Sequence, residues 1–143
     1  MDLAPERDVL DSPTTRAVRV YLVEDSPIIR RLLVELIEDS GAATVVGHAD
    51  TALAAINEIA ALHPDAVTVD ITLKEGNGFD VLEAIAINSE DHPPVRIVLT
   101  NYTFGSYRDA ANELGADYFF DKAKQIPEVI TVLDSLNADR QAA

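Results

Sequence analysis

Residues 17–37, AVRVYLVEDSPIIRRLLVELI, contain one complete strand-and-helix unit. The first seven residues are mostly apolar and rich in valine, a composition typical of a strand covered on both faces. Ser26 is a favoured N-cap, and Pro27 suits the first position of a helix. The apolar residues that follow recur with the helical period of 3.6 residues, and Gly41 suits the C-terminal end. The resulting stripe consists of Ile28, Ile29, Leu32, Leu33, Leu36 and Ile37.

The same alternation recurs along the rest of the chain. Further strands are predicted at residues 44–47, 66–69, 95–99 and 117–120. Further helices are predicted at residues 51–62, 79–87, 104–114 and 126–136. Such alternation is typical of βαβ units, whose right-handed crossovers place helices on both faces of one sheet. We therefore expect an α/β fold, a doubly wound five-stranded parallel sheet in a flavodoxin-like (βα)5 three-layer sandwich.

Length and composition favour one globular domain. The chain has 143 residues, of which 48% are hydrophobic and 25% charged. We expect an N-terminal tail at residues 1–16, a domain at 17–137 and a frayed C-terminal tail at 138–143. No apolar run approaches the roughly 18 residues of a membrane span. The acidic N-terminus lacks the features of a signal peptide, so a cytoplasmic location and no membrane partner are expected.

Charge narrows the possible partners. The formal net charge is −14, which argues against direct binding of nucleic acid, because phosphate contacts need clustered lysine and arginine. The chain has no cysteine, and His48, His63 and His92 show no metal-ligand spacing. A protein or a cation is therefore the expected partner.

Polar residues that carry chemistry stand at the carboxyl ends of four predicted strands. Glu24 and Asp25 follow the first strand, Asp70 the third, Thr100 the fourth and Lys122 the fifth. In doubly wound folds these strand ends meet at the ligand crevice. Two carboxylates about 4 Å apart repel by roughly 4 kcal/mol at an effective dielectric of 20. Mg²⁺ relieves such repulsion with oxygen ligands, whereas Zn²⁺ prefers nitrogen or sulfur, so this edge predicts a magnesium site.

Four short motifs at these strand ends resemble the receiver domain of response regulators in two-component signalling. The resemblance covers about residues 17–137, in order and at the family's spacings. The motifs are Val23-Glu24-Asp25, Val69-Asp70-Ile71-Thr72-Leu73 with Gly76-Asn77-Gly78, Leu99-Thr100 and Phe120-Asp121-Lys122. The resemblance implies a stand-alone phospho-acceptor signalling domain, not an enzyme, that receives its phosphoryl group from a histidine kinase or histidine phosphotransfer protein.

The resemblance also implies roles for the acidic residues and for Thr72. Asp70 would be the phospho-acceptor and a ligand of Mg²⁺. Asp25 would bind Mg²⁺ directly and Glu24 through water, and the main-chain carbonyl of Thr72 would complete the protein ligands.

A second group of residues would bind the phosphoryl group and transmit its presence. Lys122 would neutralise phosphoryl charge, and Thr100 would donate a hydrogen bond to it. Thr100 and Phe119 would form the conformational switch, although an aromatic residue on a strand is also a common core residue. We expect the fourth helix, fifth strand and fifth helix to carry the output to a downstream protein that the sequence does not identify.

Several residues depart from the family pattern. Ala123 replaces the usual proline, which leaves open whether the Lys122–Ala123 peptide is cis. Lys74 stands where many receivers carry proline, and Glu24 replaces the commoner aspartate. Asn101 replaces a usual small residue, and either restricts access to the phosphoryl site or caps the fourth helix.

The sequence argues against two alternative functions. A flavodoxin-like cofactor binder would need a phosphate cradle in the first loop, which is acidic here. A phosphatase of the haloacid dehalogenase type would need aspartate in place of Thr72. A pseudo-receiver that is never phosphorylated, or a receiver excised from a larger regulator, is also compatible with the fold.

Overall fold

The computed structural model describes residues 17–41, 43–89 and 91–142. The predicted N-terminal tail, residues 1–16, lies outside the described residues. The strands are β1 (Val18–Val23), β2 (Ala43–Ala49), β3 (Ala66–Val69), β4 (Val95–Thr100) and β5 (Tyr118–Asp121). The helices are α1 (Pro27–Ser40), α2 (Ala52–Leu62), α3 (Gly78–Asn88), α4 (Gly105–Glu113) and α5 (Ile126–Ala142).

The five strands form one sheet in the order β2-β1-β3-β4-β5, and every neighbouring pair is parallel. Two hydrophobic clusters lie on opposite faces of this sheet. Helices α1 and α5 supply one cluster, and α2, α3 and α4 supply the other. The predicted doubly wound α/β sandwich is therefore confirmed.

The central strands are covered on both faces, as their apolar sequences predict. All four residues of β3 are buried, and Val20 and Tyr21 of β1 are both fully buried although they point to opposite faces. Because it is buried on both faces, the middle of the sheet is a rigid support for the residues that directly follow its strands.

The predicted boundaries of α1 are confirmed. The Ser26 hydroxyl accepts a hydrogen bond from the backbone N–H of Ile29 at 3.3 Å, as an N-cap does. Gly41 ends the helix with φ 77°, a left-handed conformation that glycine adopts without steric cost.

Helix α5 is longer than its hydrophobic period predicts. It continues to Ala142, so residues 138–142 of the predicted C-terminal tail are helical. Residues 138–142 are Ala, Asp, Arg, Gln and Ala, so apart from Asp139 they are good helix formers, and the segment has no glycine or proline. The division into a tail, a domain and a second tail stays a prediction.

No helix among the described residues combines the length and apolarity needed to cross a membrane.

Candidate functional site

Backbone hydrogen bonds continue the sheet just beyond its strands and hold the candidate residues in place. The Asp70 N–H donates to the Val23 carbonyl at 3.0 Å, and the Lys122 N–H donates to the Thr100 carbonyl at 2.9 Å. The Glu24 N–H donates at 3.0 Å to the last carbonyl of β2. These residues are therefore fixed by the sheet itself and not by mobile loops.

The structure brings Glu24, Asp25 and Asp70 into one acidic cluster. One carboxylate oxygen from each lies within 4.8 Å of the others. Glu24 is 1% exposed and Asp70 is 5% exposed, so the repulsion between them is weakly screened by solvent. Such a cluster needs a positive charge nearby.

Lys122 supplies that charge. Its ammonium lies 2.5 Å from Oδ2 of Asp70 and 2.9 Å from Oε2 of Glu24. Burial alone would lower the pKa of Lys122, but its hydrogen bonds with the two carboxylates outweigh this and raise the pKa. The ammonium therefore remains charged although it is only 8% exposed. Lys124, by contrast, is exposed.

Glu24 is held from two sides. Its Oε2 atom accepts hydrogen bonds from the Lys122 ammonium and, at 3.1 Å, from the backbone N–H of Ser26. Burial raises the pKa of Glu24, and these two hydrogen bonds only partly offset that effect. The sequence predicted Ser26 only as a helix cap; its position two residues after Glu24 was the available signal for this second contact.

Asp70 has both carboxylate oxygens engaged. Oδ2 contacts Lys122, while Oδ1 accepts a hydrogen bond from the Thr72 N–H at 3.3 Å. Gly78 lies directly behind this residue, and a Cβ atom there would lie 2.4 Å from the Asp70 carbonyl oxygen. The glycine therefore lets the loop after β3 close tightly around Asp70.

Thr100 is fully buried at the end of β4. Its hydroxyl oxygen accepts a hydrogen bond from the Tyr102 N–H at 3.1 Å, which leaves the hydroxyl proton free for donation to another acceptor. Phe119 of β5 is 8% exposed and belongs to the core cluster beside α4.

A cavity of about 370 Å³ opens above these residues. Its walls come from the ends of β1, β3, β4 and β5, so the carboxyl edge of the sheet forms its floor. The lining residues are Asp25, Ser26, Ile29, Asp70, Thr72, Asn101, Tyr102, Lys122 and Ala123.

Two alternatives left open by the sequence are decided by the structure. The N-cap of α4 is Phe104, which makes no side-chain capping bond, so the alternative that Asn101 caps this helix is excluded. Three residues separate Asn101 from the first turn, too far for its amide to reach the free N–H groups of that turn. No described peptide bond is cis, and Lys122–Ala123 is trans.

A larger cavity, about 510 Å³, lies at the opposite edge of the sheet, where α2 and α3 approach each other. His63 and His92 line it, but none of the candidate residues does. Within the described part of the chain, Glu24, Asp25 and Asp70 are the only group of three or more metal-ligating side chains. The smaller cavity is therefore the candidate functional site.

Comparison with known proteins agrees with this geometry. The family model of the response regulator receiver domain matches residues 20–134. The receiver domain of a putative NarL regulator from Mycobacterium tuberculosis superposes with a TM-score of 0.78 at 25% identity, covering 86% of this chain and 98% of that one. The response regulator domain of Thermotoga maritima CheB gives 0.74 at 26% identity, covering 90% and 98% respectively.

The receiver domain of a putative Luxo repressor from Vibrio parahaemolyticus is similar as well, with a TM-score of 0.76 at 27% identity, covering 89% of this chain and 94% of that one. Among curated proteins, no sequence matches. The matched region contains all five strands except the first two residues of β1, together with every residue of the candidate site. The chain belongs to the family of response regulator receiver domains.

Proposed function

We propose that this chain is a phospho-acceptor whose Asp70 takes a phosphoryl group from a phosphohistidine of a histidine kinase or histidine phosphotransfer protein. The observation that carries the proposal is the position of Lys122, whose buried ammonium touches Asp70 beneath an open cavity. A buried cation in contact with a strand-end carboxylate is well placed to neutralise the charge of a transferring phosphoryl group.

The transfer would be a displacement at phosphorus. An Asp70 carboxylate oxygen forms the new bond to phosphorus, the phosphorus–nitrogen bond to the donor histidine breaks, and the imidazole leaves with that electron pair. The Lys122 ammonium moves from the Asp70 carboxylate to the phosphoryl oxygens. In its hydrogen bond with the Tyr102 N–H the Thr100 hydroxyl is only an acceptor, so its own proton can be donated to the phosphoryl group.

The acidic cluster fits Mg²⁺. Its donors are all oxygens, the set that this ion prefers, and the three carboxylates are close enough to share one ion. Asp25 and Asp70 would bind it directly, Glu24 through water, and the Thr72 carbonyl would complete the protein ligands. When bound, the ion would neutralise charge on the phosphoryl oxygens.

The signal would reach a protein partner in the cytoplasm through α4, β5 and α5. Phe119 is on the strand beside β4, and its register partner Val98 lies two residues before Thr100. A movement of Thr100 toward a phosphoryl group would therefore disturb the packing beneath α4. The net charge of −14 favours a protein partner over nucleic acid.

Phosphoryl incorporation tests the acceptor directly. With Mg²⁺ and a small donor such as acetyl phosphate, we expect one phosphoryl group on the wild-type protein, detected by intact mass and released by hydroxylamine. Asp70→Asn should abolish this label, because an amide is a poor nucleophile. Wild-type labelling of Asp70→Asn would contradict the assignment.

The pseudo-receiver alternative gives the opposite result in the same experiment. A fold that binds partners without phosphorylation would stay unlabelled with acetyl phosphate and with a phosphorylated donor protein. Asp121→Asn, which changes a carboxylate beside Lys122 that is outside the acidic cluster, is the matched control and should label like wild type.

A further inference from the structure

Helix α4 has few contacts that hold it to the sheet. Among its nine residues only Ala111 is buried, whereas α3 buries four residues and α2 three. Its N-cap, Phe104, provides no capping bond and is 69% exposed. Tyr107 and Leu114 are only partly buried against the core, so each contact between α4 and the strands influences where this helix lies.

One of these contacts joins α4 to the candidate switch residue. The guanidinium carbon of Arg108 lies 4.5 Å from the ring centroid of Phe119. The same guanidinium donates a hydrogen bond to the Phe119 carbonyl at 3.4 Å. Arg108 thus contacts both the side chain and the backbone of one residue of β5, a geometry that a planar guanidinium provides and an ammonium does not.

We propose that Arg108 is the positioning residue that couples Phe119 to helix α4. The inference rests on the proposed function, since it assigns the link by which a change at Thr100 would reach the output surface. If Phe119 moves, the guanidinium that contacts its ring moves with it and pulls on α4, a helix in which only Ala111 is buried.

The free energy of the contact between Arg108 and Phe119 suits a switch. A cation–π contact at an exposed site contributes about 0.5–1 kcal/mol, which corresponds to a twofold to fivefold change in an equilibrium constant. A contact of this size biases the position of α4 without locking it.

The test uses two measurements on the same variants. The chain contains four phenylalanines, so labelling with 4-fluorophenylalanine gives four ¹⁹F resonances that Phe→Leu variants assign. Hydrogen exchange followed by mass spectrometry reports separately on the amides of α4. The variants are Arg108→Met, Arg108→Lys and, as the matched control, Arg31→Met, which changes an exposed arginine of α1.

Without a ligand, Arg108→Met should shift the Phe119 resonance and speed exchange in α4 by about twofold to fivefold, while Arg31→Met changes neither. With beryllofluoride and Mg²⁺ as the phosphoryl mimic, wild type should respond at Phe119 and in α4. In Arg108→Met the Phe119 response should persist while the α4 response is lost. Arg108→Lys should retain part of the α4 response.

An α4 response in Arg108→Met equal to that of wild type would overturn the inference. So would unchanged exchange of α4 in the unliganded variant. If wild type neither accepts a phosphoryl group nor responds to the mimic, the proposed function fails. The unliganded comparison still decides in that case whether Arg108 holds α4 to Phe119.

Discussion

Lys122 shows how one residue can stabilise a site that is otherwise unfavourable. Its ammonium contacts Glu24 and Asp70, two buried carboxylates that would repel each other without it. Glutamate has one methylene more than the aspartate common at this position, and here it reaches across to Lys122. The ammonium therefore compensates the negative charge of both carboxylates.

The structure excludes one of the two roles that the sequence allows for Asn101. It lines the cavity above Asp70 and does not cap α4. An amide in the cavity lining adds bulk and can form hydrogen bonds that an incoming water or small donor would otherwise form. In Asn101→Ala we expect both phosphorylation by acetyl phosphate and spontaneous hydrolysis to become faster, by roughly twofold or more.

Melting temperature is the control for that variant. Loss of a helix cap would cost about 1 kcal/mol, whereas Asn101→Ala should leave stability unchanged because Asn101 forms no cap. Unchanged rates in this variant would contradict a role in access.

Tyr21 predicts a dependence of stability on alkaline pH. Burial, followed by the hydrogen bond that its hydroxyl donates to Glu58 at 2.6 Å, raises the pKa of Tyr21 far above its usual range. Above about pH 10 the phenol ionises in the unfolded chain but not in the folded one, so the folded state binds more protons and stability falls as pH rises.

Tyr21→Phe should remove the contribution of Tyr21 to this dependence. We expect the variant to lose about 1 kcal/mol at neutral pH with the hydrogen bond, and to show a shallower fall of stability above about pH 10 than wild type. Urea unfolding at a series of pH values measures both effects. If the stabilities of wild type and Tyr21→Phe fell in parallel as pH rises, the raised pKa of Tyr21 would be contradicted.

At the scale of elements, α1 has more apolar surface than the sheet covers. Its stripe has six apolar residues, but only Leu33 and Ile37 are buried. Ile28 is 75% exposed, Leu32 39% and Leu36 37%, and their spacing of four residues places them in one exposed row. This row begins beside the cavity, because Ile29 lines the cavity wall.

We predict that this row contacts the donor protein. Leu32→Ala should lower kcat/KM for transfer from a phosphohistidine-containing donor protein by about fivefold, as expected for the loss of about 1 kcal/mol of interface contact. Labelling by acetyl phosphate should stay unchanged, because this small donor reaches Asp70 through the cavity alone.

Leu53→Ala is the matched control for Leu32→Ala. Leu53 is 70% exposed on α2, and it does not line the cavity. Replacing Leu53 should change neither transfer from the donor protein nor labelling by acetyl phosphate. Equal losses in the two variants would indicate a general effect of surface hydrophobicity and would contradict a docking role for the row on α1.

At the scale of the whole molecule, the excess of negative charge means that a bound cation should stabilise the folded state. The net charge is −14, and two carboxylates of the acidic cluster are almost fully buried. A cation that binds only the folded state raises its stability by about 1.4 kcal/mol at ten times its dissociation constant. Mg²⁺ should therefore raise the melting temperature, and chelation should reverse the rise.

Asp25→Ala should abolish this dependence on Mg²⁺, because it removes a proposed ligand while leaving the contacts of Lys122 with Glu24 and Asp70 in place. Asp134→Ala, which removes an exposed carboxylate on α5, should retain the full rise and is the matched control. An equal rise in both variants would mean that the ion binds elsewhere on the acidic surface.

The sequence by itself determined the architecture and the edge of the sheet that carries the chemistry. Strand and helix periods are local properties, so the order of elements and the Ser26 cap follow from neighbouring residues. The parallel topology then places the residues after β1, β3, β4 and β5 at one edge, whatever the details of packing.

Only the tertiary structure decided which of these side chains touch. The contact of Lys122 with Glu24 joins residues 98 positions apart, and Arg108 reaches Phe119 from another element. Leu32 is 39% exposed although it belongs to the apolar stripe of α1. Such pairings depend on side-chain direction and on the packing of distant elements, which local propensity does not specify.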